Sequence, residues 1–312
     1  MNKQTILGAG GAIGTDLAKY LTEYTKDIRL AGRNPKKVNK GDELFPADLT
    51  KREEVFRVVK GSAKVFVTIG FEYRIKVWQE LWPTFIQNVI DACSDYKAEL
   101  IFFDNIYALE KCSIKHITES SSILPQTEKG KVRAEVDRKI LNAIEKRKVR
   151  GIIARAPDFY GRFIASSVLM NTVYSNMAKR KTSQWFCNAD VLHTFGYTPD
   201  LAKGMAILGN TATAFNQVWN LPTDKALTGR EWVSLFAKEM KGKDKVRVIP
   251  SWLIKSIGIF NPVLGELNEM LYQYKSAYVF DSSKFQKAFN FRPVSNEQGV
   301  RETVKELGRK AG

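Results

Sequence analysis

The stretch that most limits what this chain can fold into is its beginning, Lys3 to Leu17 (KQTILGAGGAIGTDL). A short apolar run from Thr5 to Leu7 enters Gly8, Gly10, Gly11 and Gly14, and a helical pattern carrying Leu17, Ala18 and Leu21 follows. The pattern predicts strand, glycine turn, helix. Glycines suit such a turn because it needs backbone angles that a Cβ forbids, and because main chain must touch a pyrophosphate while helix packs close on strand. The N–H groups and positive end of a helix starting near Ala12 then hold phosphates. The glycines fit G-x-x-G-x-x-G through Gly8, Gly11 and Gly14. The alternative G-x-G-x-x-G spacing fails because Ile13 occupies its last position. Gly8, Gly10, Gly11, Ala12, Ile13 and Gly14 are therefore the expected phosphate-binding residues.

The pattern continues along the first half. Asp27 to Ala31 (DIRLA) reads as a second strand ending at Gly32-Arg33-Asn34-Pro35. At that strand end an acid binds the ribose 2′-hydroxyl of a dinucleotide, whereas an arginine accommodates a 2′-phosphate. Arg33, followed by Asn34, points to NADP ahead of NAD. Glu43 to Phe45 leads to Ala47-Asp48-Leu49-Thr50 and a helix through Lys60, which places Asp48 and Leu49 for the base or for a helix cap. Lys64 to Ile69 (KVFVTI) is the near-continuous apolar run of a parallel strand buried on both faces, closed by Gly70. Ile69 and Gly70 complete this side of the cofactor set.

Trp78 to Ala92 has helical spacing with Pro83 as a kink, and Leu100 to Phe103 (LIFF) is a strand ending in Asp104-Asn105-Ile106-Tyr107. A charged helix from Lys129 to Arg147 turns Val132, Val136, Ile140, Leu141 and Ile144 inward. Gly151 to Ala154, the sixth strand, delivers Arg155-Ala156-Pro157-Asp158-Phe159-Tyr160-Gly161. Strands alternating with helices specify an α/β fold, a doubly wound parallel sheet with its ligand at the strands' C-terminal ends. From Phe163 the regularity weakens into shorter elements. We read residues 1–160 as a dinucleotide-binding domain, with a return segment near 190–210, and 161–312 as a smaller, partly interleaved substrate lid.

A chain of 312 residues with 44% hydrophobic residues buries a large core. No apolar run approaches a membrane span, and no signal segment precedes the first strand, so a cytoplasmic location is expected. Cys93, Cys112 and Cys187 are widely spaced and form no CxxC, which suggests neither disulfides nor a metal site. The net charge of +16 would suit a nucleic-acid binder, but the basic residues are spread in short pairs such as Lys36-Lys37 among acids, with no recognition motif. The expected partner is instead a small anionic cofactor or substrate drawn in by that field, with no nucleic acid and no membrane.

With these phrases in order the chain resembles the extended short-chain dehydrogenase/reductase family, of the NAD-dependent epimerase/dehydratase type. The resemblance rests on the glycine turn, Asp48-Leu49, Asn105-Ile106-Tyr107, the Arg155 to Gly161 phrase, and Tyr197-Thr198-Pro199-Asp200-Leu201-Ala202. It implies a Rossmann-type domain binding a nicotinamide dinucleotide, with Pro157 on the cofactor, Asp158, Tyr160 and His193 toward substrate, and a homodimer as a common assembly. The family's YxxxK pair, whose tyrosine moves a proton at a substrate oxygen while lysine holds the ribose, is absent. Lys129 falls in the tyrosine's place and Arg133 in the lysine's. A literal YxxxK at Tyr107 and Lys111 follows a strand instead of opening a helix, and with eleven tyrosines about one such match arises by chance.

The proton donor is therefore expected at Tyr107 or Lys129, with Asn105 orienting and Arg133 holding ribose or phosphate. A carboxylate at Asp158, where the family has an asparagine, repels a diphosphate and argues against a nucleotide sugar. The expected function is an NADP-dependent oxidoreductase, or epimerase/dehydratase-like enzyme, acting on a small carbonyl, alcohol or sugar-derived substrate. The alternative is a non-catalytic NADP sensor that has lost YxxxK.

Overall fold

Strand β1 (Gln4–Leu7) lies inside a seven-stranded sheet, next to its central strand, and is buried along its length. The computed structural model describes residues 2–162, 164, 167–258 and 261–308. Phe163, from which the second region was read, lies outside them.

The sheet belongs to the first of two compact units, made of residues up to Leu109, Ile123–Ala156 and Leu201–Leu221. It contains β1, β2 (Ile28–Gly32), β3 (Glu43–Pro46), β4 (Lys64–Val67), β5 (Glu99–Asp104), β6 (Gly151–Arg155) and the strand Gln217–Asn220. Their order is Gln217–Asn220, β6, β5, β4, β1, β2, β3, and every pairing is parallel. Leu7 is level with both Ala31 and Val67, Val67 with Phe102, and Asp104 with Arg155, so the chain leaves these strands along one edge.

Helices α1 (Ala12–Leu21), α2 (Arg52–Val59), α3 (Ile75–Asp95) and α4 (Glu128–Glu145) make the crossovers. Side chains alternate across a strand, and both faces here are covered. Leu7, Val65, Val67, Leu100, Phe102 and Ile153 share one core with apolar residues of α2, α3 and α4. On the other face Phe66 and Ile101 meet Gly209, where a Cβ would lie 2.5 Å from the Phe66 ring. The sheet reverses its direction of winding between β1 and β4, the switch point at which such folds hold ligands.

The second unit comprises Glu110–Ser122, Pro157–Asp200 and the chain from Pro222 onward. It has paired short strands, Asp158–Tyr160 with Phe195–Tyr197, Leu192–His193 with Leu227–Thr228, and Ser183–Phe186 with Val246–Ile249. Its core gathers Tyr160, Trp185, Phe195, Trp232 and Phe236. The division differs in detail from a break at 160 with a return near 190–210. Residues 110–122 are drawn into this unit by the bridge between Ile117 and Phe280. The returning segment is 201–221, because Gln217–Asn220 supplies the seventh strand of the sheet.

Candidate cofactor cleft and proton-transfer site

The glycine turn makes one wall of a cleft of about 750 Å³ that lies wholly in the first unit. Gly8 has φ +94°, and a Cβ on it would lie 2.5 Å from the Ile69 Cα, so only glycine lets β1 and the exit of β4 approach this closely. A Cβ on Gly14 would meet the Gly8 carbonyl at 2.7 Å and Thr68 Oγ1 at 2.9 Å, so the third glycine serves helix-to-turn packing and faces no ligand space. Space does remain above Gly10, where nothing lies within 4 Å of such a Cβ. Gly11 is the N-cap of α1 and no side chain caps that helix, which leaves its first N–H groups to an incoming acceptor. These residues fit a dinucleotide pyrophosphate.

Of the sequence-derived cofactor residues, Gly8, Gly10, Gly11, Ile69 and Gly70 line this cleft, as do Arg33, Asn34, Asp48 and Leu49 farther along. Ala12, Ile13 and Gly14 belong to the first turn of α1, with Ile13 and Gly14 buried. Pro157 lies in the second unit. Among the described residues Arg33 has no carboxylate within 4 Å, and it also borders an adjoining hollow beside Lys51. The Asp48 carboxyl is held below the usual range by hydrogen bonds from the Thr50 hydroxyl, at 2.8 Å, and the Thr50 N–H. It is a half-buried anion at the head of α2.

The neighbouring strand end carries Asn105 and Tyr107. Asn105 Oδ1 accepts the Tyr107 N–H at 2.9 Å, a turn that fixes how the chain leaves β5. Trp78 stacks on the Tyr107 ring at 6.1 Å and meets Tyr73 edge-on at 5.5 Å. The two phenol oxygens, of Tyr73 and Tyr107, are 3.4 Å apart. Thr127 caps α4 by accepting the Gly130 N–H at 3.0 Å, and a Cβ on Gly130 would stand 2.5 Å from the Tyr107 carbonyl. Glycine thus lets the helix start close over the strand end. Lys129 is 1% exposed, with Nζ 4.8 Å from the centre of the Tyr73 ring. Tyr73 and Trp78 carried no motif and were not legible. Lys111 stacks its ammonium over Tyr272 at 5.1 Å inside the second unit, so its YxxxK spacing has a local explanation.

Arg133 corrects the expectation of a ribose or phosphate holder. Its guanidinium is 3% exposed, donates twice to Asp104 Oδ1, and lies over the Trp82 ring at 4.4 Å. One turn on, Asp137 pairs with Arg155 at 3.2 Å, and both are buried. Burial, then the Asp104 charge, pushes the Asp137 carboxyl well up from its ordinary value. A proton held by Asp137 relieves two carboxylates packed together with two arginines. The signal for this network was in the sequence, since Lys129, Arg133 and Asp137 recur every four residues on one face of α4.

In the second unit Asp158 Oδ2 is 3.1 Å from His193 Nε2 and accepts the Tyr274 hydroxyl at 2.9 Å. His193 is buried between the rings of Phe195, Tyr274 and Tyr278. Asp158 is thus a carboxylate already engaged by its own unit. Tyr160, expected to face substrate, is fully buried against Tyr197 and Trp232, and its hydroxyl sits where a side chain at Gly299 would clash. Burial raises its phenol well above the ordinary value. It is a core residue.

The parallel switch-point sheet and its glycine cleft define an α/β dinucleotide-binding enzyme fold. A family model for the NAD dependent epimerase/dehydratase family matches residues 5–221, and the chain belongs to that family. It is accordingly an enzyme of the oxidoreductase and epimerase kind that uses a nicotinamide dinucleotide. Solved structures of similar fold include the UDP-glucose 4-epimerase of Thermus thermophilus in complex with NAD, at 18% identity and TM-score 0.77, covering 99% of this chain and 100% of that one. The UDP-glucose 4-epimerase of Thermotoga maritima gives 14% identity and TM-score 0.79 over 100% and 99%. A dTDP-glucose 4,6-dehydratase from Streptomyces venezuelae, with NAD bound, gives 14% and 0.78 over 99% and 97%. No curated protein matches the sequence.

Proposed function

We propose that the protein is an NADP-dependent oxidoreductase acting on a small carbonyl or alcohol, with Tyr107 as the group that exchanges a proton with the substrate oxygen. The observation that carries the cofactor choice is Arg33, a guanidinium on the same cleft as Gly8, Gly10 and Gly11 with no carboxylate within 4 Å among the described residues and a longer-range attraction to Asp48. Its planar fork matches a 2′-phosphate. Asp48 and Leu49 hold the adenine side, and Ile69 and Gly70 the turn at the switch point. Bound there, the dinucleotide supplies hydride donation and acceptance.

The proton side is carried by this chain's own residues. Tyr107 leaves the end of β5, next to the β4 end that lines the cleft, and Asn105 fixes its backbone. Lys129 adds a buried positive charge beside the paired phenols, which favours a proton leaving them. Arg133 acts by holding Asp104 and so the seat of α4 on the sheet. Asp158 is bound to His193 and Tyr274 within the second unit. Mixing the protein with NADPH and a panel of small aldehydes and ketones tests the reading by loss of nicotinamide absorbance. Oxidation of NADPH with at least one of them is expected, and no oxidation across the panel while UDP-sugars are turned over would overturn it.

A further inference from the structure

The proposed proton donor does not stand alone. Tyr73 follows β4 by six positions, has no counterpart among the motifs of the sequence, and is brought to Tyr107 by Trp78, which packs on both rings. The phenol oxygens are 3.4 Å apart, long for a hydrogen bond, as catalytic contacts often are in a free enzyme. Lys129, at the position where a YxxxK tyrosine was sought, lies over the Tyr73 ring face. Lys129 is 1% exposed there.

We propose that Tyr73 is a positioning residue for proton transfer, the second member of a Tyr107–Tyr73 relay whose negative charge is received beside Lys129, replacing the missing tyrosine–lysine pair. This rests on the reading of Tyr107 as donor. In the reducing direction the O–H bond of Tyr107 breaks and its proton goes to the substrate oxygen. Tyr107 then takes the proton of Tyr73 along their hydrogen bond. The electron pair is left on the Tyr73 oxygen near the Lys129 ammonium, until solvent returns one proton. Alcohol oxidation runs the same path backwards.

Among the described residues, the other charged groups flanking the pair have partners of their own. Arg133, one turn along α4 from Lys129, is bound to Asp104 at the end of β5, and the Arg155 guanidinium lies between Asp104 and Asp137. Glu72 and Arg74, flanking Tyr73, pair with each other at 3.5 Å and are exposed. On α4, Glu128 is engaged by Lys131. Lys129 places its ammonium over the Tyr73 ring.

The relay is testable on the free protein, without knowledge of the substrate. Tyrosine labelled with ¹³C at Cζ is followed by NMR against pH, with Tyr73 and Tyr107 assigned from the Tyr73→Phe and Tyr107→Phe spectra. The expected result is that one of the two signals ionises at least about one pH unit below the ordinary tyrosine midpoint of about 10. That midpoint returns to or above the ordinary value in Lys129→Met, and stays low in Lys129→Arg, whose charge is kept. Signals that both ionise at the ordinary pH or above, or a midpoint unmoved by Lys129→Met in a protein whose other tyrosine signals are unchanged, would overturn the relay. Neither result bears on whether NADPH is bound or oxidised, so failure of the relay and failure of the oxidoreductase reading are told apart. Once a carbonyl substrate is in hand, Tyr73→Phe is expected to lower kcat about tenfold or more at neutral pH with little change in KM.

Discussion

Two stretches of the same sheet edge follow different rules. Around β1, β2 and β4 the ligand surface is largely backbone. Gly8 and Gly14 are fixed by approaches of 2.5 and 2.7 Å that no side chain permits, and α1 offers uncapped N–H groups. Around β5 and α4 the surface is side chains, with Tyr73, Tyr107 and Lys129 above a buried quartet of Asp104, Arg133, Asp137 and Arg155. A backbone site tolerates little change because its shape is covalent. A side-chain site can exchange its chemistry while the strands beneath it stay in place. The retained glycines and the missing YxxxK are consistent with that difference.

Tyr107→Phe breaks the comparison on its side-chain half with the largest expected effect. It removes one hydroxyl, so turnover of a carbonyl substrate is expected to fall about 10²–10⁴-fold while NADPH affinity stays at the wild-type value. Gly8→Ala attacks the backbone half. The positive φ and the Ile69 backbone leave no room, and denaturant titration is expected to show a loss of roughly 2–4 kcal/mol together with weaker NADPH binding. Arg33→Ala sharpens the same half at lower cost. Calorimetry is expected to show NADPH weakened by roughly 1.5–3 kcal/mol, with NADH little changed.

The smallest effect concerns the quartet. Asp137 has a raised carboxyl pKa in the folded chain, so the native state keeps a proton that the unfolded chain gives up as pH rises through the ordinary aspartate range near 4. Its contribution to stability is therefore greatest below that range and declines with rising pH, until the native carboxyl itself ionises. Asp137→Asn holds a neutral group at every pH. Thermal unfolding of the two proteins is expected to show a shallower decline for the variant above about pH 4, and parallel curves would rule out the protonated Asp137.

The alternation of strands and helices, the all-parallel sheet and the glycine turn were readable because each is written in local periodicity and in residues with restricted backbone angles. Arg33, Asp48 and Ile69 were readable because their distance from the turn fixes where they emerge on the sheet edge. Tyr73 was not, since it reaches Tyr107 through a loop whose course depends on Trp78 packing, 34 residues before Tyr107 in the chain. Arg133 was expected on ribose or phosphate because it falls where the family has its lysine, and only the placement of Asp104 opposite it, at the end of a strand, shows where its guanidinium is engaged. The crossing at 110–122 escaped notice and the return expected near 190–210 was placed too early for a similar reason, both being set by the pairing of Ile117 with Phe280 and of Gln217–Asn220 with β6.

The central claim, that the glycine cleft with Arg33 is built for a 2′-phosphorylated dinucleotide, is tested most directly by titrating the unmodified protein with NADPH and with NADH at one ionic strength. NADPH is expected to bind tighter by about tenfold or more, the equivalent of at least roughly 1.4 kcal/mol at Arg33. Equal affinities, or a preference for NADH, would contradict it.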